Sequence, residues 1–213
     1  QENSNIFTEM VRMNVNEMWR CGAPFDFFNL NDLPLLDKNK YKLYIFLNAL
    51  NPREEISEYI KSELRDKYKF FVGAPGYACK EQLNVKGIFE LTGIKAKAFT
   101  TDKLETASYN GKEFGYKNGN YIYTRKYVSN NEPISPLFEI TDDTVEPLAY
   151  YDNGKLAYGC KNKTFYCTTG NIPYEVFRDA AERAGVHLYT KDGHGLAVTS
   201  SFIAINTIGS EKC

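Results

Sequence analysis

The chain is poor in the residues that carry most enzymatic chemistry at neutral pH. Its 213 residues include two histidines, one tryptophan and three methionines. Five cysteines, Cys21, Cys79, Cys160, Cys167 and Cys213, form an odd and scattered set. That is not the even, patterned set of a disulfide framework, so reduced thiols and a cytoplasmic setting are expected. No CxxC is present, and His187 and His194 do not stand at the i, i+4 spacing of a helical zinc site, so no metal is expected. Neither GxGxxG nor GxxxxGK[ST] occurs, which removes the usual glycine-rich phosphate loops, and no cofactor is expected. Charge is balanced, with 26 basic and 27 acidic residues and a net charge of −1, and no basic run marks a nucleic-acid partner. No apolar run approaches a membrane span, and Gln1–Asn5 is too polar to begin a signal peptide. No internal repeat or low-complexity segment is evident.

What the chain does have is an ordinary globular composition, 43% hydrophobic and 25% charged, with enough length to bury a core. Aromatics reach 15%; a tyrosine-rich core and surface explains them, and sugar stacking would use the same residues. Phe7, Met10, Val11, Val15 and Met18 mark a helical face that Gly22 and Pro24 end. Strands are expected at Phe25–Leu30, at Tyr41–Leu47, a nearly continuous apolar run, and at Tyr68–Val72. Asn51-Pro52-Arg53-Glu54 reads as an N-cap, a first-position proline and an acidic first turn. Ile56, Tyr59, Ile60 and Leu64 follow on one face. Asn84 is placed to cap a helix bearing Val85, Ile88 and Phe89, closed by Gly93. This alternation implies βαβ units and a parallel sheet. Thr100–Tyr150, with Asn110-Gly111, Asn118-Gly119 and the alternating Tyr121–Tyr123, reads as a β-rich excursion from that sheet. Asp152–Gly154 is a hairpin candidate leading to strands at Leu156–Tyr158 and Thr164–Cys167. Pro173 opens a helix with Val176, Phe177, Ala180, Ala181 and Ala184, which Gly185 stops. His187–Tyr189, Leu196–Thr199 and Phe202–Asn206 complete the expected strands.

The corner after Tyr68–Val72 reads Gly73-Ala74-Pro75-Gly76-Tyr77. In open α/β folds ligands bind at such corners, and nucleophile elbows stand there. Its centre is Pro75, which has fixed φ and no N–H to donate to an oxyanion hole. Cys79 lies just beyond, beside Lys80, where a thiol pKa could fall, but no base is placed near it by sequence. Glu54 and Glu55 fit helix-dipole complementarity, and Asp142 and Asp143, adjacent in sequence, point their side chains apart. Neither pair suits glycoside hydrolysis. Asn162-Lys163-Thr164 matches a glycosylation sequon.

Several stretches in order resemble one family. Arg20-Cys21-Gly22-Ala23-Pro24-Phe25-Asp26, Asp32-Leu33 followed by Tyr41–Phe46, Leu91-Thr92-Gly93-Ile94, Ala184–Tyr189 and Phe202–Asn206 are similar to segments of the trimerisation domain of bacterial family-forty-two β-galactosidases. The resemblance spans nearly the whole chain outside Thr100–Tyr150. It implies an α/β, flavodoxin-like three-layer sandwich with a mostly parallel central sheet and a β-rich insert, related to class I glutamine amidotransferases. Where those enzymes carry a Gly-x-Cys-x-Gly elbow, this chain has Pro75 and Tyr77. It also implies a single domain over 1–213, with the insert at about 100–150, belonging to a longer protein. That domain would have no catalytic residues of its own, and its partners would be further copies or sister domains of a parent hydrolase. Carbohydrate contacts, if made, are expected at the carboxyl ends of the strands: Asn48, Asn51 and Tyr77, with Trp19 as well explained by packing. Two other readings stand beside this one: an amidotransferase-like hydrolase using Cys79 with His187 or His194, and a stand-alone carbohydrate-binding module.

Overall fold

A computed structural model describes residues 8–79, 82–101, 103, 105–115 and 135–207. A π-helical turn, Thr8–Arg12, runs into α1 (Met13–Met18), and a 3-10 helix follows at Leu30–Leu35. The βαβ unit read from the sequence is present. β1 (Leu43–Phe46) leads through α2 (Glu54–Ser62) to β2 (Tyr68–Val72), and β1 and β2 are parallel, Leu43 opposite Tyr68. Two short strands, β3 (Ala78–Cys79) and β4 (Gln82–Leu83), precede α3 (Val85–Thr92). Asn84 caps α3 as expected, its side chain accepting from Lys86 N–H at 2.9 Å, and Gly93 ends it at φ 72°. The cap of α2 differs: Arg53, whose side chain makes no capping bond to the helix, takes the position expected for Asn51. Lys69 fills the other end of α2. Its buried Nζ donates to the carbonyls of Leu64, Arg65 and Lys67, where a cation meets the negative helix terminus.

The remaining strands are β5 (Ala96–Phe99), β6 (Thr106–Tyr109), β7 (Lys112–Gly115), β8 (Leu137–Ile140), β9 (Glu146–Tyr151), β10 (Leu156–Lys161), β11 (Thr164–Cys167), β12 (Gly195–Val198) and β13 (Ile203–Asn206); α4 (Tyr174–Arg183) lies between β11 and β12. Among the described residues the main sheet has seven strands in the order β1-β2-β11-β10-β9-β6-β7. It is mixed. The β1-β2-β11 side is parallel and every pairing from β11 to β7 is antiparallel. The mostly parallel sheet expected from the sequence therefore occupies only one side. The reason is local: tight turns join β6 to β7, β9 to β10 and β10 to β11, and such turns enforce antiparallel pairing. Asn110-Gly111, with φ of 49° and 77°, makes the β6–β7 turn. The supposed excursion at Thr100–Tyr150 thus contributes β6, β7 and β9 to the main sheet, while β8 pairs with β5 beside it. Asn118-Gly119 and Tyr121–Tyr123 lie outside the described residues.

Two expected strands do not form. Phe25–Leu30 and His187–Tyr189 have no strand pairing, although Tyr189 N–H donates to Gly22 O at 2.8 Å. The strands expected near Leu196–Thr199 and Phe202–Asn206 pair with each other as β12 and β13, apart from the main sheet.

Alternate residues of the parallel strands enter two cores. Leu43, Ile45, Phe70, Val72, Phe165 and Cys167 face α1 and α4, where Phe70 meets Phe177 at 5.4 Å between ring centroids. Tyr44, Phe46, Phe71 and Tyr166 face α2 and α3, with Phe46 stacked on Phe71 at 4.8 Å. The period-two pattern of the sequence is what sends successive side chains to opposite faces. Polar pins hold the first face together. Buried Asn14 accepts from Ile172 N–H at 2.8 Å and donates to Met10 O at 2.8 Å, while the guanidinium groups of Arg20 and Arg178 both lie over the Tyr174 ring. Among the described residues no helix is long and apolar enough to cross a membrane.

Candidate functional site

The corner after β2 is a tight turn from Ala74 to Tyr77, closed by Tyr77 N–H to Ala74 O at 3.2 Å. Proline at its second position and Gly76 at φ 71° at its third are the residues that a type II turn requires. Pro75 is buried and shapes this turn. Both glycine amides of the corner are already committed. Gly73 N–H donates to Cys167 O at 2.8 Å, and Gly76 N–H donates to Ala49 O at 2.7 Å. The Tyr166 hydroxyl donates to Gly73 O at 2.9 Å, fixing the first carbonyl as well. These bonds tie the corner to β1 and β11 and leave their donors no free proton to offer an anionic intermediate.

The segments carrying Asn48, Asn51 and Tyr77 are brought together at the carboxyl end of β1 and β2. Gly76 bonds Ala49, and Ala78 N–H donates to Leu50 O at 3.0 Å. Asn48 and Asn51 are exposed there, whereas the Tyr77 ring packs edge-on against Phe138 at 4.9 Å. Trp19 is 45% exposed and lies 4.8 Å from the Phe25 ring.

The candidate nucleophiles and acids separate. Cys79 lies in β3, and its side chain is outside the described set. Cys160 and Cys167 sit on the adjacent strands β10 and β11, as their spacing suggested. Burial pushes their thiols up, to about 11 and about 12, and burial also raises Cys21. Thiols held in that state are poor nucleophiles. Iodoacetamide at pH 7 should therefore label native Cys160 and Cys167 at least ~100-fold more slowly than the unfolded chain; equal rates read by mass spectrometry would contradict the burial argument. Asp142 is buried while Asp143 is exposed, so this pair does point apart. Glu54 and Glu55 occupy the first turn of α2, with Glu55 2.9 Å from Arg53. Among the described residues no group of three or more His, Cys, Asp or Glu side chains converges as a metal site would.

The feature that sequence reading missed is a groove of ≈ 830 Å³ along β1, which among the described residues is one edge of the main sheet. Phe25–Leu30 forms one wall and β1 another, with Asn48, His187 and Tyr189 also lining it. Asp26 sits at one end, where its Oδ2 accepts from the Tyr41 hydroxyl at 2.6 Å and from Lys40 Nζ at 2.9 Å. Those two bonds hold its carboxyl below the usual range. His187 packs edge-on against Tyr189 at 4.7 Å. Nothing in the spacing of Asp26, Lys40 and Tyr41 announces this cluster, because the fold alone juxtaposes them.

No protein-family profile matches the sequence, and neither does any curated protein. Solved structures do resemble the fold. A β-galactosidase from the psychrophilic Marinomonas ef1 superposes with a TM-score of 0.54 at 12% identity, over 90% of this chain and 27% of that one. A catalytic mutant of Gan42B, a GH42 β-galactosidase from G. stearothermophilus, gives 0.56 at 14% identity, over 88% of this chain and 28% of its own. Gan42B itself gives 0.55 at 14% identity, over 87% and 27%. The chain thus spans little more than a quarter of the length of these structures, and at such identities the likeness is one of fold.

Proposed function

We propose that this chain is a non-catalytic domain of a β-galactosidase-like glycoside hydrolase, of the trimerisation type, serving subunit contacts and the walls of a neighbouring sugar site. The carrying observation is the likeness itself, which takes in nearly all of this chain and only about 27% of each β-galactosidase. The helices on both faces of β1-β2-β11 support a flavodoxin-like reading of that half of the sheet. The corner supports a non-catalytic role, since Gly73 and Gly76 spend their amides on the fold. In this reading Asn48 and Asn51, exposed at the carboxyl end of β1, face a sister domain or its sugar, and Tyr77 supports them from below.

Light scattering tests the assembly role. The chain at ~100 µM should run as a multiple of 24.4 kDa, three copies for a trimer, and dissociate on dilution. A monomer at every concentration would sink the assembly reading. The same sample should release no nitrophenol from a nitrophenyl β-galactoside; turnover that survives purification would sink the non-catalytic one.

A further inference from the structure

The chain contains three Asn-Gly steps, at Asn110, Asn118 and Asn153. Asn118 lies outside the described residues. The other two are near twins. Each is exposed in a turn between antiparallel strands, β6–β7 for Asn110 and β9–β10 for Asn153, and each pair is followed by lysine. Both glycines have positive φ, 77° at Gly111 and 82° at Gly154. A Cβ on either would meet nothing within 4 Å, so the two tips are equally open. Asn-Gly is the step at which a chain attacks its own side chain most readily, because no Cβ shields the glycine nitrogen.

Hydrogen bonding separates the twins. In the β9–β10 turn Gly154 N–H donates to Tyr151 O at 2.9 Å, and Asn153 Oδ1 accepts from Lys155 N–H at 3.1 Å. Tyr151 N–H closes the turn around them by donating to Lys155 O at 2.8 Å. The attacking nitrogen and the side chain it would attack are both tied down. In the β6–β7 turn the strands pair Tyr109 with Lys112, and among the described residues Gly111 N–H enters no backbone bond. The Asn110 carboxamide touches the Tyr109 hydroxyl, a contact that leaves the Gly111 nitrogen untouched.

We propose that Asn110 is a site of spontaneous deamidation and that Asn153 is held against the same reaction by its bonds. Gly111 N gives up its proton to water and attacks Asn110 Cγ. The N–Cγ bond forms, the bond from Cγ to the side-chain nitrogen breaks, and ammonia leaves with a proton from water. Water then opens the five-membered imide at either carbonyl, leaving an aspartyl or an isoaspartyl residue. The isoaspartyl product carries the backbone through the former side chain and so adds a methylene to a two-residue turn. It also brings a negative charge to a tip where the Asp179 carboxylate already acts on Tyr109. Modification should therefore loosen the β6–β7 hairpin.

Peptide mapping by mass spectrometry on the full chain, held folded at mildly alkaline pH, tests this. Asn110 should convert at least ~10-fold faster than Asn153, since only local opening frees the bonded twin. In the urea-unfolded chain the two should convert at similar rates, because both are followed by Gly-Lys. Equal rates in the folded chain, or a faster Asn153, overturn the proposal. An unfolded chain that keeps the folded ratio would assign the difference to sequence and overturn it as well. The aged chain should also melt below Asn110→Asp, which carries the new charge without the added methylene; a melt equal to that variant's would overturn the loosening of the turn. None of these readouts rests on the assembly reading, which light scattering decides separately.

Discussion

Gly87→Ala should destabilise the fold by at least ~3 kcal/mol, although the same change in an ordinary helix interior stabilises by about 1 kcal/mol. Gly87 lies within α3, where it meets the Gly73–Tyr77 corner backbone to backbone. A Cβ there would stand 1.9 Å from Gly76 O and 2.9 Å from Gly76 C. The reverse substitution fares no better, since a Cβ on Gly76 would stand 2.6 Å from Gly87 O and would have to accept φ 71°. Neither neighbour is a flexible side chain that could swing away. The turn can yield only by giving up Gly76 N–H to Ala49 O, the bond that holds the corner to the end of β1. In a domain of this size each kcal/mol moves the melting temperature by roughly 2–4 °C, so a fall of at least ~6 °C is expected. Lys86→Ala, one residue earlier and exposed, should stay within ~0.5 kcal/mol. A Gly87→Ala melt at or above the parent's would show that the corner and α3 do not touch as described.

That contact also shows what could be read from residues in order and what could not. The Asn84 cap, the Gly93 stop and the apolar period of α2 and α3 are local signals, and each reappears in the fold. The corner was legible for the same reason: a buried strand running into Gly-Ala-Pro-Gly is written in consecutive residues. Strand partnership is not local. β6, β7 and β9 carry turn signals that announce hairpins but say nothing of joining the sheet through Ser108 opposite Tyr150. Phe25–Leu30 has strand chemistry without a paired edge, so pattern alone misplaced it. The Asp26, Lys40 and Tyr41 cluster was invisible because tertiary packing makes it. Of the expected contact residues, Asn48 and Asn51 do reach the surface at the end of β1, whereas Tyr77 is largely spent on Phe138.

Asp142 should make the protein acid-sensitive. Its carboxylate joins three parts of the chain that are distant in sequence. Oδ1 accepts from the Thr144 hydroxyl at 2.6 Å and from Thr144 N–H at 3.2 Å. Oδ2 accepts from Lys161 Nζ at 2.9 Å and from Lys95 N–H at 3.3 Å. Those contacts fasten β10 and the start of β5 to the loop before β9. Burial alone would raise the Asp142 pKa; the Thr144 hydroxyl, the Lys161 ammonium and the two amides outweigh it and hold the carboxyl well below the usual range. The unfolded chain, with an ordinary value near ~3.9, therefore binds this proton more readily than the native state does. The stabilisation is fully present above that unfolded value and is lost as pH falls toward the depressed native one. At neutral pH, Asp142→Asn should cost about 2–4 kcal/mol, below the most severe cases because Lys161 is 29% exposed and can turn to water. Urea midpoints of parent and variant should therefore stand well apart at pH 7 and begin to draw together as pH falls from about 4 to about 3, where the parent's unfolded chain takes up the proton that its native carboxylate still refuses. A gap that stays constant across that range would mean that the carboxylate's charge contributes nothing, and that the hydrogen bonds alone hold β10 to β5.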